Sequence, residues 1–366
     1  MYSYIHIPFC NNKCKYCRFA SVWIIQEKAK KKYLNKLLID INNYDSKINR
    51  LKSIYFWWWT PSILEIDEIL NIIQAMKSKF WFYKNIEINL ETTPNNITKK
   101  NLVWWKKIWI NRISIWIQTL NNKSLQEIWR WNKSNIFEAL DLIRNIWFEN
   151  ISIDFIIWLP YVSIWEIQNN INYILNKYNF IKHISVYMLE DYYEINDANN
   201  KFDKITYPNN WTSLWIKQED YLFEYINIKN NLKKHWFNPY EISNFAKKWY
   251  ECKHNKSYWN HSNVIAFGLW AHFFINNSRS HYSDTFKWFY NNEIILDEVM
   301  KKEDIFLENV MFWLRTTWLN NDLQKELNTN KINEFIDSGF LKLDNSILKL
   351  TNKWVLLIDY ILKEII

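Results

Sequence analysis

Tight turns and strand-to-helix junctions need residues that tolerate positive φ, and glycine is the usual supplier. This chain of 366 residues has 2 Gly and 24 Trp. Glycine averages about 7% of residues in ordinary proteins; here 2 Gly plus 24 Trp, 26 of 366, comes to that share. Position says more than the sum. Trp57-Trp58-Trp59-Thr60-Pro61 follows the apolar run Ser53-Ile54-Tyr55-Phe56 and opens a helical stretch. A turn of this kind calls for positive φ and close backbone approach to a ligand, which three adjacent indoles oppose. Trp147, Trp236, Trp318 and Trp354 fall where helices end or turns begin. Most of the tryptophans therefore read as standing for glycine, as when a gene that uses UGA for glycine is translated with a table that assigns it tryptophan. Some, Trp259 above all, read as genuine.

Apolar, β-branched segments recur at Tyr2–Ile7, Ser53–Phe56, Ile86–Leu90, Arg112–Gln118, Ile151–Ile157 and His183–Leu189. Between most of them lie stretches of 3.6-residue apolar spacing, at Ile63–Phe80, Asn135–Ile146 and Ile164–Tyr178. Strands alternating with helices imply βα units, a parallel sheet and right-handed crossovers. Six units fall short of the eight of a closed barrel, so the expected fold is α/β, a partial (βα)6 TIM-like barrel. Its chemistry belongs in the loops at the C-terminal strand ends. A core over 1–235 is followed by an irregular segment, 236–300, rich in Tyr, Asn and His. A last module, 301–366, has helical runs at Asp304–Leu314, Asp322–Leu327 and Ile332–Asp337. The two short apolar runs around Asp344-Asn345-Ser346 then read as a hairpin before a final helix, an α+β, winged-helix-like plan.

The charge balance, 46 Lys+Arg against 38 Asp+Glu, gives a formal +8. The lysines are interspersed with acids along helical stretches, which fits a solvated surface better than nucleic-acid binding. A Trp-rich module stacking on nucleic acid is the alternative of another class. No run reaches the roughly 18 apolar residues of a membrane span and no signal segment opens the chain, so peripheral membrane contact at most is expected. Four cysteines, three of them bunched, suit a reducing cytoplasm rather than a disulfide framework.

The bunched cysteines carry the chemistry. Cys10, Cys14 and Cys17 form C-x3-C-x2-C on a loop directly after the first strand, in Tyr4-Ile5-His6-Ile7-Pro8-Phe9-Cys10. Thiolates so spaced can converge on an iron–sulfur cluster; zinc or unrelated core cysteines are the plain alternatives. Three thiolates leave one iron of a four-iron cluster open, and an open position separates a reactive metal site from a structural one. With Gly read at the turn tryptophans, nearly the whole chain resembles the radical S-adenosylmethionine (SAM) superfamily. Within it the match is to the oxygen-independent coproporphyrinogen III oxidase-like family.

The resemblance implies that Cys10, Cys14 and Cys17 ligate a [4Fe–4S] cluster whose open iron takes SAM, and that an electron donor drives SAM cleavage to a 5′-deoxyadenosyl radical. It further implies a SAM site. Tyr4 and Tyr16 match positions flanking adenine and cluster. Trp57, Trp58 and Trp59 with Thr60 match a Gly-Gly-Gly-Thr-Pro turn. Glu91 resembles the acid at the third strand's end, and Gln118 ends the fourth strand. Arg130 matches a Gly-Arg-x arginine suited to the SAM carboxylate, and Asp154 matches the acid of Asp-x-x-x-Gly-Leu-Pro. Each could instead satisfy strand-end backbone groups or a surface ion pair.

Two features separate the branches. The oxidase carries another cysteine two residues beyond the third and a longer N-terminal arm; here Arg18-Phe19 follows Cys17 and nine residues precede Cys10. That resembles the HemW branch, haem chaperones that pass haem to acceptor proteins. Arg18 departs from the branch's usual Asp. His254-Asn255-x-x-Tyr258-Trp259 matches the branch's haem-linked His-Asn-x-x-Tyr-Trp motif. Histidine is a common haem ligand and Cys252 is a second candidate; a structural loop over the barrel mouth is the equal alternative. Gly268-Leu269-Trp270-Ala271-His272 and Leu314-Arg315-Thr316-Thr317-Trp318-Leu319 resemble further motifs of the family. The expected function is haem chaperone, with porphyrinogen oxidation in porphyrin biosynthesis as the alternative. Indoles at 57–59 are expected to occlude the pocket beside the cysteines.

Overall fold

The computed structural model describes residues 1–10, 14–17, 26–45, 50–57, 60–130, 132–189, 218–316, 327–344, 347–351 and 358–365. The first half alternates strand and helix: β1 (Tyr2–His6), α1 (Glu27–Asn43), β2 (Arg50–Trp57), α2 (Ile66–Lys79), β3 (Trp81–Thr92), α3 (Lys99–Lys107), β4 (Arg112–Gln118), α4 (Asn122–Glu127), α5 (Lys133–Ile146), β5 (Ile151–Ile157), α6 (Glu166–Lys177) and β6 (His183–Met188). After α7 (Gln218–Lys234) come β7 (Asn238–Pro239), β8 (Asn244–Ala246), α8 (Lys253–Tyr258), β9 (Val264–Phe267), β10 (His272–Ile275), β11 (Ser278–Tyr282), α9 (Phe286–Tyr290) and β12 (Ile294–Val299). The chain closes with α10 (Lys302–Arg315), α11 (Thr329–Asp337), β13 (Leu341–Asp344), β14 (Ile347–Leu350) and α12 (Ile358–Ile365).

Twelve strands join one sheet in the order β12-β11-β10-β9-β1-β2-β3-β4-β5-β6-β8-β7. From β9 through β6 neighbours run parallel, and β8 adds antiparallel to β6. Strands packed on both faces read as continuous apolar runs; every residue of β5 (Ile-Ser-Ile-Asp-Phe-Ile-Ile) is buried. The helices bury one stripe each. In α5, Ile136, Ala139, Leu140 and Ile143 recur on one face, and Asn132 caps the start by accepting from the N–H groups of Ser134 and Asn135. Cutting Leu140 to Ala would cost about 2–5 kcal/mol, because a sealed core relaxes only partly around a lost side chain.

The six expected strands are β1 to β6. The segment 236–300 differs from its expected irregularity: it supplies β7 to β12, so it extends the barrel sheet at both ends. Its short strands carry too few residues for alternation to be legible. The expected hairpin is β13–β14, paired antiparallel. It packs with α10, α11 and α12 around a second apolar cluster that includes Val310, Trp313, Phe335 and Ile361. The run Asp322–Leu327 lies almost wholly outside the described residues, as do Trp318 and Trp354.

The backbone bears on the tryptophans. Eight of the fourteen non-glycine residues with positive φ among the described residues are Trp: 109, 129, 147, 158, 165, 236, 249 and 270. A β-carbon makes this region costly, so it is visited chiefly by Gly, Asn and Asp. Trp147 is the left-handed C-cap of α5, at φ 56° and ψ 58°, and 78% exposed. That is glycine's place and not an indole's. Trp259, at φ −71°, has the backbone of an ordinary residue. Both true glycines take positive φ; a Cβ on Gly268 would stand 2.7 Å from the His6 carbonyl oxygen.

Candidate active site and barrel lumen

β1 ends at His6, and the chain runs into the loop that bears the cysteines. Cys10, Cys14 and Cys17 are buried together with Tyr16 packed against them. The Cys17 N–H donates to the Cys14 carbonyl at 3.0 Å, which turns the loop and brings the thiols inward. Thr60, from the turn after β2, places its Oγ1 3.7 Å from Cys10 Sγ. The Tyr16 hydroxyl accepts from Arg130 Nη2 at 2.9 Å and from Gln118 Nε2 at 2.7 Å. Gln118 holds φ 70° at the end of β4, a strained conformation of the sort kept at functional sites. Burial pushes the Cys14 thiol up, and the Arg130 guanidinium partly counters this. Burial works against the charge of Arg130, but Cys14 and Tyr16 outweigh it and hold the guanidinium above its ordinary range.

Thus Cys10, Cys14, Cys17, Tyr16, Thr60, Gln118 and Arg130 converge on one place. Trp58 and Trp59 lie outside the described residues, as do Arg18 and Trp131. Three buried thiols beside a fixed cation and the helix-opening turn fit a cluster held at three corners. Tyr4 lies beneath, its ring against Trp57 with centroids 5.7 Å apart.

Glu91 and Asp154 face the barrel lumen, a cavity of about 70 Å³ that also touches Tyr55, Trp57, Arg112, His183, Cys252 and His254. Glu91 accepts from the Tyr55 hydroxyl at 3.0 Å. Burial raises the Asp154 carboxyl to about 7 against hydrogen bonds from Ser185 and Ser152 and the field of Arg112. Drug-sized ligands fill roughly 300–1,000 Å³, so a lumen of about 70 Å³ is too small for a nucleoside. The indole of Trp57 lies at its upper end, between Tyr4 and Tyr55. Cys10, Cys14 and Cys17 cluster as expected; the occlusion expected of the indoles at 57–59 turns on Trp58 and Trp59, which lie outside the described residues.

The His-Asn-x-x-Tyr-Trp stretch differs from its expected place over the barrel mouth. α8 enters the barrel at the N-terminal strand ends, away from the cysteines. His254 is 1% exposed, with Nδ1 2.9 Å from Ser53 Oγ and Nε2 2.9 Å from the Tyr258 hydroxyl. Burial holds its imidazole down at about 3. One ring nitrogen carries the proton and the other accepts a hydroxyl hydrogen bond, so ligation of iron by His254 would require its bond to Ser53 or Tyr258 to be exchanged. The Cys252 thiol is buried and directed at Glu87 Oε1, 3.5 Å away, and burial pushes it up. Asn255 donates to the Tyr240 hydroxyl at 3.3 Å, and Trp259 sets its ring edge-on to Phe312 of α10, centroids 5.3 Å apart. The motif plugs the barrel floor and ties it to the C-terminal module. It does not cover the mouth.

Sequence reasoning passed over Arg112. Its guanidinium is 1% exposed and donates to Asn150 Oδ1 at 2.9 Å and the Tyr250 carbonyl at 3.0 Å. A charged first residue in an otherwise apolar strand was the available signal, since buried arginine needs partners.

A parallel half-barrel with three thiols at the end of its first strand defines a radical SAM protein, a class built on a [4Fe–4S] cluster and SAM, and the sequence model of the radical SAM superfamily matches residues 4–174. The fold is that of the coproporphyrinogen III oxidase (HemN) from Escherichia coli, with TM-score 0.78 at 18% identity over 99% of this chain and 89% of the other. The chain is 30% identical to the haem chaperone HemW of Buchnera aphidicola from Schizaphis graminum, covering 98% of this chain and 96% of the relative. It is also 30% identical to the haem chaperone HemW of Bacillus subtilis, over 76% and 72% of the two chains. The chain belongs to the HemW family.

Proposed function

We propose that this protein is a radical SAM haem chaperone, which binds haem transiently and passes it to acceptor proteins. The observation that carries the reading is the end-to-end likeness to a haem chaperone, joined to a cysteine triad with no fourth cysteine in its motif. Cys10, Cys14 and Cys17 would hold the [4Fe–4S] cluster, which with SAM supplies one-electron chemistry when bound. Arg130, fixed through Tyr16, would pair with the SAM carboxylate. Gln118, Thr60 and the turn at 57–59 would complete the pocket, with Tyr4 beneath. Glu91 and Asp154, set deeper, would face it once the lumen opens. Glycine at 57–59 would clear the indoles from that space.

An electron donor and haem-accepting proteins are the implied partners, in the cytoplasm. No helix among the described residues is long and apolar enough to cross a membrane. His254, Asn255, Tyr258 and Trp259 would be the haem contacts, with His254 giving up its bond to Ser53 or Tyr258 on binding. Anaerobic reconstitution of a chain with glycine at 57–59, then haem titration and transfer to an apo-acceptor, tests the proposal. A Soret band that moves to the acceptor supports it. Conversion of coproporphyrinogen III to protoporphyrinogen IX by the same preparation would make the protein an oxidase instead.

A further inference from the structure

The added strands of the sheet carry a group of side chains that the radical SAM site does not use. His272 opens β10, His281 lies directly opposite it on β11, and Asp297 comes from β12. The imidazoles stack with centroids 4.6 Å apart and planes 23° from parallel. Asp297 reaches His281 Nδ1 at 2.7 Å and His272 Nδ1 at 3.9 Å. One ligand atom from each residue lies within 4.8 Å of the other two.

The backbone explains why three strands can present one set. The pairing of β11 with β12 slips between Arg279 and Ser280, so that Arg279 faces Glu298 while Ser280 faces Leu296. Asp297 is the extra residue of that bulge, and bulges re-aim side chains. The slip turns its carboxylate across His281 toward His272. His281 is largely covered, whereas Asp297 and His272 are exposed, the His272 side chain to 58%.

We propose that His272, His281 and Asp297 form a second metal site, for a divalent first-row cation of the zinc class. Two imidazoles and one carboxylate make the donor set that zinc accepts with a fourth position left to water or another ligand, at about 2.0–2.2 Å from each protein atom. Small side-chain rotations would close the present spread onto one ion. Held on three hydrogen-bonded strands, the ligands need little ordering on binding. The exposed edge of His272 leaves the fourth position toward solvent, where a partner's donor group can enter.

The test uses the full chain with its cluster reconstituted anaerobically, so that Cys10, Cys14 and Cys17 are occupied, dialysed against Zn²⁺. The expected result is one zinc per chain, with an X-ray absorption edge showing nitrogen and oxygen ligation with imidazole scattering. His281→Ala and Asp297→Asn should each weaken retention by roughly a hundredfold or more, since even outer-shell partners are worth 10–100-fold, while leaving cluster iron unchanged. Equal zinc in wild type and both variants, sulfur ligation, or no zinc retained would each overturn the proposal. The absorption measurement on the wild type stands even if a variant fails to fold.

Discussion

Replacing the exposed left-handed tryptophans by glycine should stabilise the chain as written. Trp147, Trp236 and Trp249 sit at φ 56°, 66° and 76° and are 78%, 79% and 81% exposed. Holding an L-residue there costs about 1–2 kcal/mol. Only about a fifth of each indole is covered, on the order of 40–50 Å², so its loss gives back at most about 1 kcal/mol at roughly 25 cal/mol per Å². The net is about +0.5 kcal/mol per site. The three sites follow different elements, so the triple variant should gain about 1.5 kcal/mol by addition. Trp105→Gly is the control: at 1% exposure within α3, it should lose at least about 3–5 kcal/mol to the cavity alone. Urea unfolding followed by circular dichroism reads both as midpoint shifts of opposite sign, which needs no two-state assumption. A triple variant that unfolds at lower urea than the parent would refute the argument that these turns call for glycine.

Further outcomes are expected. The native protein should be lighter by intact mass than the written sequence, by the indolylmethyl groups of the exchanged tryptophans; a mass equal to the written one would end the recoding account. His254→Ala should destabilise by about 2–4 kcal/mol, because it opens a cavity and leaves Ser53 and Tyr258 without their buried partner. In the folded fraction a lost or shifted Soret band would support His254 as a haem ligand, and an unmoved band would rule it out. Arg130→Gln should weaken SAM binding about tenfold or more while cluster iron stays constant, checked by SAM titration of the reconstituted protein. Asp154 has a carboxyl raised in the folded state, so the folded chain binds the extra proton. Stability should then fall as pH rises from about 4 to about 7. Asp154→Asn should flatten that decline, and an unchanged slope would show that Asp154 is ionised throughout.

The core strands were legible because parallel strands buried on both faces are written as predominantly apolar, β-branched runs, as in Ile151–Ile157. The helices followed from period and caps, as in α5. The strands β7 to β12 were not, for they run two to six residues and take their partners from β1, β6 and one another. Cys10, Cys14 and Cys17 announced their convergence by spacing. That Tyr16 joins Arg130 to Gln118 did not show, because the loop after β1, the end of β4 and the turn after α4 are far apart in sequence and meet only in the folded barrel. His254 illustrates another limit: a motif identifies residues but not the direction in which an imidazole points, here between Ser53 and Tyr258. His281 and Asp297 left no trace at all, since only strand register sets them beside His272.

The most direct test is an iron and sulfide count on a glycine-restored chain reconstituted without oxygen, with spectra recorded before and after SAM. The account predicts about four irons and four sulfides per chain, a spectrum that shifts when SAM takes the open corner, and loss of both in Cys14→Ala. A folded chain that never takes up four irons, or whose cluster ignores SAM, would contradict it.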